Sequence, residues 1–594
     1  MSTYAAPLRD MRFVLNELAG LGEVAKLPGF EEATPDTVDA ILEEASKFAS
    51  EVLDPINGSG DREGSQLSGG EVRTPKGFRE AYRQFCAGGW NALPFEHDWG
   101  GQGLPKLVST PVQEMWKSSN LSFSLCPLLT QGAVEALLLR GSEVLKQAYL
   151  PKMVEGKWTG TMNLTEPQAG SDLSLVRTRA ERQGNQYLIS GQKIFITYGE
   201  HDLAENIVHL VLARTPDAPE GVKGISLFVV PKFVPNADGT LGKRNGARCA
   251  SIEHKLGIHA SPTAVMVYDK AVGHLVGEEN RGLEYMFIMM NAARFAVGLE
   301  GVAIAERAFQ RALAFSKERL QGRDLVAGGK TVPIIRHPDV RRMLMLMKSQ
   351  AEAMRALAYT TAAAMDFAHK SEIPAERKRH QAYVDLMIPV VKGWCTETGI
   401  EVASLGVQVH GGMGFVEETG AAQYLRDARI TTIYEGTTGI QAMDLVGRKI
   451  AREGGATAKE WIAELKPFEG ELARSKNPDI QCFRNQFVPG VQALADGVEF
   501  IVASSAKDPR LAFAGAVPFL KLMGIVAGGW QMGRAALAAE RKLQSGDRNF
   551  LEAKIATARF YADHVLVQAP GLCNTVVNGA SGVMALSEEQ FLAA

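Results

Sequence analysis

The strongest constraint in this chain is a change of hydrophobic period, made twice. Up to about residue 157, apolar residues recur at helical spacing between Gly and Pro turns. Val134, Leu137, Leu138 and Leu145 fit one stripe, and Tyr149-Leu150-Pro151 predicts its stop. The pattern then shortens. Tyr187-Leu188-Ile189, Ile207 to Leu212, Ile225 to Val230 and Ala264 to Tyr268 are β-branched or aromatic runs bounded by turn residues. From about 285 the helical period returns, with Val340, Met343, Leu344, Met347, Ala351, Met354, Leu357 and Ala358 at spacings of three and four. A polar break at Arg452-Glu453-Gly454-Gly455 precedes further helical patterning that includes Trp461, Leu465 and Leu472. The expected class is mainly α with a central β domain. The expected domains are helical 1–157, β 158–280, helical 281–455 and an additional helical 456–594.

Length supports several domains, since 594 residues at about 150 per domain give three to five. A hydrophobic fraction of 46% with 22% charged residues excludes a mostly disordered or fibrous chain. Lys+Arg 64 against Asp+Glu 67 leaves net charge -3, so no global field favours nucleic acid. The six cysteines form no CxxC pair, which argues against a zinc site or a disulfide framework and for a reducing compartment. Arg9, Asp10 and Arg12 interrupt the N-terminus, which lacks a signal-peptide core. The apolar stretch Phe513 to Trp530 reads as one buried helix rather than a membrane span, because Pro518 and Lys521 break it. A soluble cytoplasmic protein is expected.

Four segments carry chemistry. Thr161 to Asp172 (TMNLTEPQAGSD) ends in a Pro and Gly turn flanked by hydroxyls, and Gly170 permits close backbone approach to a ligand. In Gly191 to Thr197 (GQKIFIT), a regular strand would project Phe195 and Thr197 to one face, an aromatic plane beside a hydroxyl. Gln408 to Phe415 (QVHGGMGF) places three glycines at a helix end, and it is no Walker loop because no Lys-Ser/Thr follows. Arg426 to Thr438 (RDARITTIYEGTT) sets Glu435 between an aromatic and a glycine, where partial desolvation would make it a better base. Each segment alone also reads as an ordinary loop, strand, helix cap or turn.

Together, and in this order, the four segments resemble the acyl-CoA dehydrogenase family. The resemblance runs from about residue 40 to about 450 and includes Gly89 to Pro94, Trp99 to Gly103, Gly141-Ser142, and Lys255 to Ile258. It implies an N-terminal helical domain, a middle β-barrel-like domain and a C-terminal four-helix bundle. The extra helical domain resembles that of a longer bacterial branch. The implied activity is FAD-dependent α,β-dehydrogenation of an acyl-CoA thioester to the trans-2-enoyl-CoA. Glu435 matches the family base; Ala293 stands where other branches place it and cannot serve. The base removes the α-proton, and hydride leaves the β-carbon for flavin N5.

The same resemblance implies a cofactor set of Leu164, Thr165, Gly170, Ser171, Phe195, Thr197, Arg319, Gln408, Gly411, Gly412, Thr437 and Gln441. It implies Ser171, Arg294 and Gly436 at the substrate, and no metal. Arg319 and the Gln408 loop match residues that act across a subunit interface, so a homodimer is expected. An electron-transfer flavoprotein is the implied acceptor. The implied substrate is 3-(methylthio)propanoyl-CoA, giving 3-(methylthio)acryloyl-CoA in dimethylsulfoniopropionate catabolism. Alternatives are a medium- or long-chain fatty acyl-CoA dehydrogenase of fatty acid metabolism, an acyl-CoA oxidase, or a non-catalytic acyl-CoA or protein-binding scaffold.

Overall fold

A computed structural model describes residues 4–326 and 328–592. The helices used below are α1 (Leu8–Phe13), α2 (Lys106–Ser119), α3 (Leu121–Arg140), α4 (Gly282–Glu318), α5 (Pro338–Lys370), α6 (Pro374–His410), α7 (Thr438–Met443), α8 (Pro478–Ser505), α9 (Ala516–Lys542) and α10 (Arg548–His564). By contacts the chain groups into two units: residues 44–104 with 115–296, and residues 1–43 with 105–114 and 297–594.

The unit of residues 44–104 and 115–296 holds the β domain. Its strands are β1 (Gln66–Ser68), β2 (Glu71–Arg73), β3 (Trp158–Asn163), β4 (Arg179–Gln183), β5 (Gln186–Thr197), β6 (Asn206–Ala213), β7 (Ser226–Pro231), β8 (Phe233–Pro235), β9 (Leu241–Arg244), β10 (Ala247–Ile252) and β11 (Thr263–Leu275). Seven of them form one sheet in the order β3-β6-β7-β11-β5-β4, with β10 paired to β11. Among the described strand ladders of this sheet, β3 with β6 is the parallel one. The sheet curls back on itself, because Ala180 N donates to Arg214 O and Arg214 N to Thr178 O, both at 2.8 Å. Edge strand β4 thereby meets the end of β6, which gives the barrel-like form. Ile189, Ile196, Val211, Phe228, Val230, Met266 and Tyr268 fill its interior. Helix α3 packs closely on β3: a Cβ at Gly160 would lie 2.4 Å from Ala133 Cβ.

Three local expectations change here. The N-terminal region is not purely helical, since β1 and β2 form a hairpin. Leu145 leaves the stripe of α3, because Gly141 ends that helix and Ser142 caps a new one from Glu143 to Val154. Pro151 does not stop that second helix. Burial of Leu150, Met153 and Val154 outweighs the lost amide donor.

The unit of residues 1–43, 105–114 and 297–594 is a helical assembly. Helices α4 and α6 approach at glycine: a Cβ at Gly301 would lie 2.2 Å from Cys395 O. The stripe of α5 is buried as its period predicts. A hairpin of β12 (Leu320–Asp324) and β13 (Gly328–Pro333) separates α4 from α5, where helix alone was expected. Phe513 to Trp530 is not one helix, because Gly515 ends a short helix before α9 begins at Ala516. Helix α9 is nevertheless buried along most of its length. It packs on α6 through Trp394, whose Cγ would lie 2.2 Å from a Cβ at Gly524 and whose Cη2 would lie 2.6 Å from one at Gly528.

A buried charge cluster also ties this unit together. Arg355 donates to Asp10 at 2.7 Å, Glu114 at 2.6 Å and Glu306 at 2.7 Å. Lys554 of α10 pairs with Asp10 and with Glu352, the latter at 2.8 Å. Three described helices, α3, α4 and α8, are long and apolar enough by length and composition to cross a membrane. Their apolar windows are 83%, 72% and 50% buried inside the protein.

Candidate active site

The candidate residues fall into two groups, one in each unit. In the β-containing unit, β3 runs out at Asn163 into Leu164 and Thr165. Ile194 N donates to Thr165 O at 2.9 Å, so this segment lies along β5. Glu166, 3% exposed, accepts from the Thr178 hydroxyl at 2.6 Å, Thr178 N at 3.0 Å and Arg177 N at 2.7 Å. The fully buried ammonium of Lys193 donates to Glu166 at 2.8 Å and to Leu164 O at 2.9 Å. Burial opposes the charge on Glu166, yet Lys193 and the hydrogen bonds win and hold its carboxyl down at about 2. Burial lowers the Lys193 ammonium to about 8, against the pull of Glu166.

Strand β5 does not alternate regularly through Phe195. Against β11, Ala264 pairs with Ile196 and Met266 with Lys193, so β5 carries one extra residue there. This is a bulge, and Phe195 takes the left-handed value φ 59. Lys193 and Ile196 turn inward while Phe195 stands 60% exposed. The period-two argument for its orientation therefore fails, and the bulge sets the ring's direction instead. The hydroxyls of Thr165, Ser171 and Thr197 make no hydrogen bond among the described residues. Nothing lies within 4 Å of a Cβ built at Gly170. Arg294 is buried, 6.0 Å from the Phe287 ring centroid, and its neighbour Ala293 is buried too.

In the helical unit, Glu435 is half-buried on a turn between Tyr434 and α7. It adopts φ 57 and is followed by Gly436 at φ 86. Two consecutive left-handed residues cost energy, above all at the glutamate, so neighbouring groups must hold them. Lys392, fully buried on α6, donates to Gly436 O at 2.7 Å. Gln441 Nε2 donates to Glu435 O and Gly436 O, each at 3.2 Å. Thr437 caps α7, accepting from Ile440 N at 3.2 Å. Tyr434 OH donates to Glu300, and Thr438 OH donates to Glu397 at 2.5 Å.

The remaining candidates lie at helix ends. Arg319 is exposed just beyond α4. Helix α6 ends at His410, whose ring stacks on Phe315 at 4.4 Å. Gln408, Gly411 and Gly412 are exposed, and nothing lies within 4 Å of a Cβ built at either glycine.

These features fit FAD. The β unit offers an exposed aromatic face with three hydroxyls whose hydrogen-bonding capacity is unused. The helical unit offers an open glycine pair and the buried Gln441 Oε1, which has no partner among the described residues. Sequence reasoning missed Glu166, Lys193 and Lys392. Their signal was available: each is a charged residue inside an apolar or motif segment that must be buried, and Glu166 and Lys193 carry opposite signs.

An exposed aromatic beside free hydroxyls on the β domain suits a flat heteroaromatic ligand, and a half-buried carboxylate on a constrained turn of the helical unit suits a general base. Residues 35–157, 161–271 and 280–450 match the acyl-CoA dehydrogenase N-terminal, middle and C-terminal domains. Residues 458–587 match the acetyl-CoA dehydrogenase C-terminal like family. The chain is 52% identical over 95% of its length, and 96% of the relative's, to 3-methylmercaptopropionyl-CoA dehydrogenase of Ruegeria pomeroyi. It is 34% identical to a butyryl-CoA dehydrogenase of Syntrophomonas wolfei, over 99% of both chains. An acyl-CoA dehydrogenase of Bacillus anthracis complexed with FAD is 20% identical and shares the fold at TM-score 0.73, over 98% of this chain and 93% of that one. The chain belongs to the acyl-CoA dehydrogenase family, and it is an FAD-dependent enzyme acting on acyl-CoA.

Proposed function

We propose that this enzyme converts 3-(methylthio)propanoyl-CoA to 3-(methylthio)acryloyl-CoA, with Glu435 as base. The substrate assignment rests on the 52% identity, sustained over 95% of the chain, to a 3-methylmercaptopropionyl-CoA dehydrogenase. The base assignment rests on the only half-buried carboxylate in the Ile433 to Thr438 turn, whose two carbonyls are clamped by Lys392 and Gln441.

Glu435 removes the α-proton of the thioester and holds it on its carboxylate. An α-proton beside a thioester is weakly acidic, so donors aimed at the thioester oxygen must stabilise the developing enolate. We assign that role to the backbone N–H of Glu435, as the family resemblance implies, and Gly436 would leave room for the acyl chain. FAD, when bound, supplies the acceptor for the β-hydride. Thr165, Ser171 and Thr197 are the hydroxyls that would hold it, Phe195 would offer an aromatic face beside them, and Leu164 and Gly170 would shape that loop. The family resemblance assigns Arg319, Gln408, Gly411, Gly412, Thr437 and Gln441 to the cofactor as well, and Ser171 and Arg294 to the substrate.

The homodimer is proposed from the family resemblance, in which Arg319 and the Gln408 loop act across a subunit interface; Arg319, Gln408, Gly411 and Gly412 are all exposed. An electron-transfer flavoprotein is the proposed acceptor and the cytoplasm the proposed compartment. The methylthiopropanoyl chain links the enzyme to dimethylsulfoniopropionate breakdown. The 34% identity to a butyryl-CoA dehydrogenase supports a second reading, a straight short-chain substrate of similar length.

Two measurements test the proposal. Steady-state rates across an acyl-CoA panel should peak at methylthiopropanoyl, and a wide preference for long chains would refute that substrate. Glu435→Gln should keep the yellow flavin and lose substrate bleaching, with kcat down at least about a thousandfold, or about 4 kcal/mol. Full activity in that variant would remove Glu435 from the mechanism.

A further inference from the structure

The buried pair Glu166–Lys193 belongs to neither set of proposed ligand contacts, yet each member sits within two residues of that set. Glu166 follows Thr165 directly, and Lys193 precedes Phe195 by two. From these neighbours and their bonds we infer that Glu166 and Lys193 are positioning residues. They lock the Leu164-Thr165 segment to the bulge of β5 and so fix the spacing between the hydroxyl and the aromatic that hold the flavin. This rests on the proposed assignment of those segments to FAD.

The locking is specific in geometry. Lys193 Nζ bridges Glu166 Oε1 at 2.8 Å and Leu164 O at 2.9 Å, while Ile194 N reaches Thr165 O at 2.9 Å. Glu166 Oε1 also accepts from Thr178, and its Oε2 accepts from the Arg177 N–H. A bulge is a flexible place in a strand, because its extra residue makes no ladder bond. A charge pair buried beside it restricts the conformations open to it, since moving either member leaves the other uncompensated. Phe195 itself is 60% exposed and has little packing of its own to hold its direction. One strong constraint near it is the buried ammonium two residues before it.

The test uses the purified full-length protein and FAD as probe, read by FAD affinity of the apoprotein and by circular dichroism of the bound flavin. Glu166→Gln and Lys193→Met should each raise the Kd for FAD at least tenfold and change the flavin's visible dichroism. Glu166→Asp should recover most of the affinity. The double variant Glu166→Gln/Lys193→Met removes the uncompensated charge, so it should melt cooperatively near the parent and still bind FAD at least tenfold more weakly. That double variant also serves if a single variant fails to fold. Parental affinity and dichroism in the double variant would overturn the positioning role. Phe195→Ala and Thr197→Ala separate the two levels. If they weaken FAD binding while the Glu166 and Lys193 variants do not, the positioning role alone is lost. If Phe195→Ala and Thr197→Ala also bind FAD as the parent does, the flavin assignment of β5 fails and this inference with it.

Discussion

Lys392 Nζ and the carbonyl oxygen of Gly436 are 2.7 Å apart, and the lysine side chain is wholly buried. A cation this deep carries a desolvation cost, and here its charge is directed at the residue after the proposed base. The bond holds a glutamate–glycine pair in left-handed backbone that would otherwise relax.

Lys392→Met should therefore lower kcat at least about tenfold, or about 1.4 kcal/mol, with FAD content unchanged. Lys392→Arg should restore part of it. Stopped-flow flavin bleaching measures the step directly, and wild-type rates in Lys392→Met would show that the turn is held without it.

Gly436→Ala adds a Cβ 2.7 Å from Gln441 Nε2 at a residue with φ 86. The backbone penalty alone is about 1–2 kcal/mol. The Gln441 clamp must also shift. The expected result is a modest fall in melting temperature with a disproportionate loss of turnover, checked by thermal melts beside steady-state rates.

Acid should weaken the β domain. Burial, with the charge of Lys232 second, lowers both His201 and His209 to about 3. They stay neutral in the fold, bonded to Thr159 and Thr161. In the unfolded chain they protonate near 6.5, so the stability they contribute is complete above that value. It is lost as pH falls toward 3, at up to about 1.4 kcal/mol per pH unit for each histidine. Urea melts between pH 7 and pH 4 should show the decline, and His209→Gln should flatten it. An unchanged slope in that variant would assign the acid sensitivity elsewhere.

Arg355→Met leaves Asp10, Glu114 and Glu306 facing one another without their shared guanidinium. Removing one member of a buried ionic cluster costs about 3–5 kcal/mol. Chemical denaturation should register a loss of that order. A change below about 0.5 kcal/mol would mean the carboxylates protonate at little cost.

Element type was readable where a period ran long enough to decide it. The stripe of α5 and the strands β6 and β7 lie where their patterns place them, because the apolar face of α5 and both faces of β6 and β7 leave water. Glu435 entered as a candidate through the family resemblance of its Tyr-Glu-Gly-Thr segment, since read alone that segment is also an ordinary turn. The direction of Phe195 was not readable. It depends on one extra residue in β5, and that extra residue is defined only by the register against β11. The glycines at 524 and 528 lie inside an apolar run with no local reason for their size, and they make room for Trp394, more than a hundred residues earlier.

Local sequence thus determined helix or strand where a long period ran, because periodicity acts over a few residues, and it missed the short hairpins and helix breaks. Tertiary structure alone decided that Lys392 would clamp Gly436, that Lys193 would find Glu166, and that Arg355 would gather three carboxylates. A buried charge is tolerable only beside a partner, and which partner arrives depends on how distant segments pack.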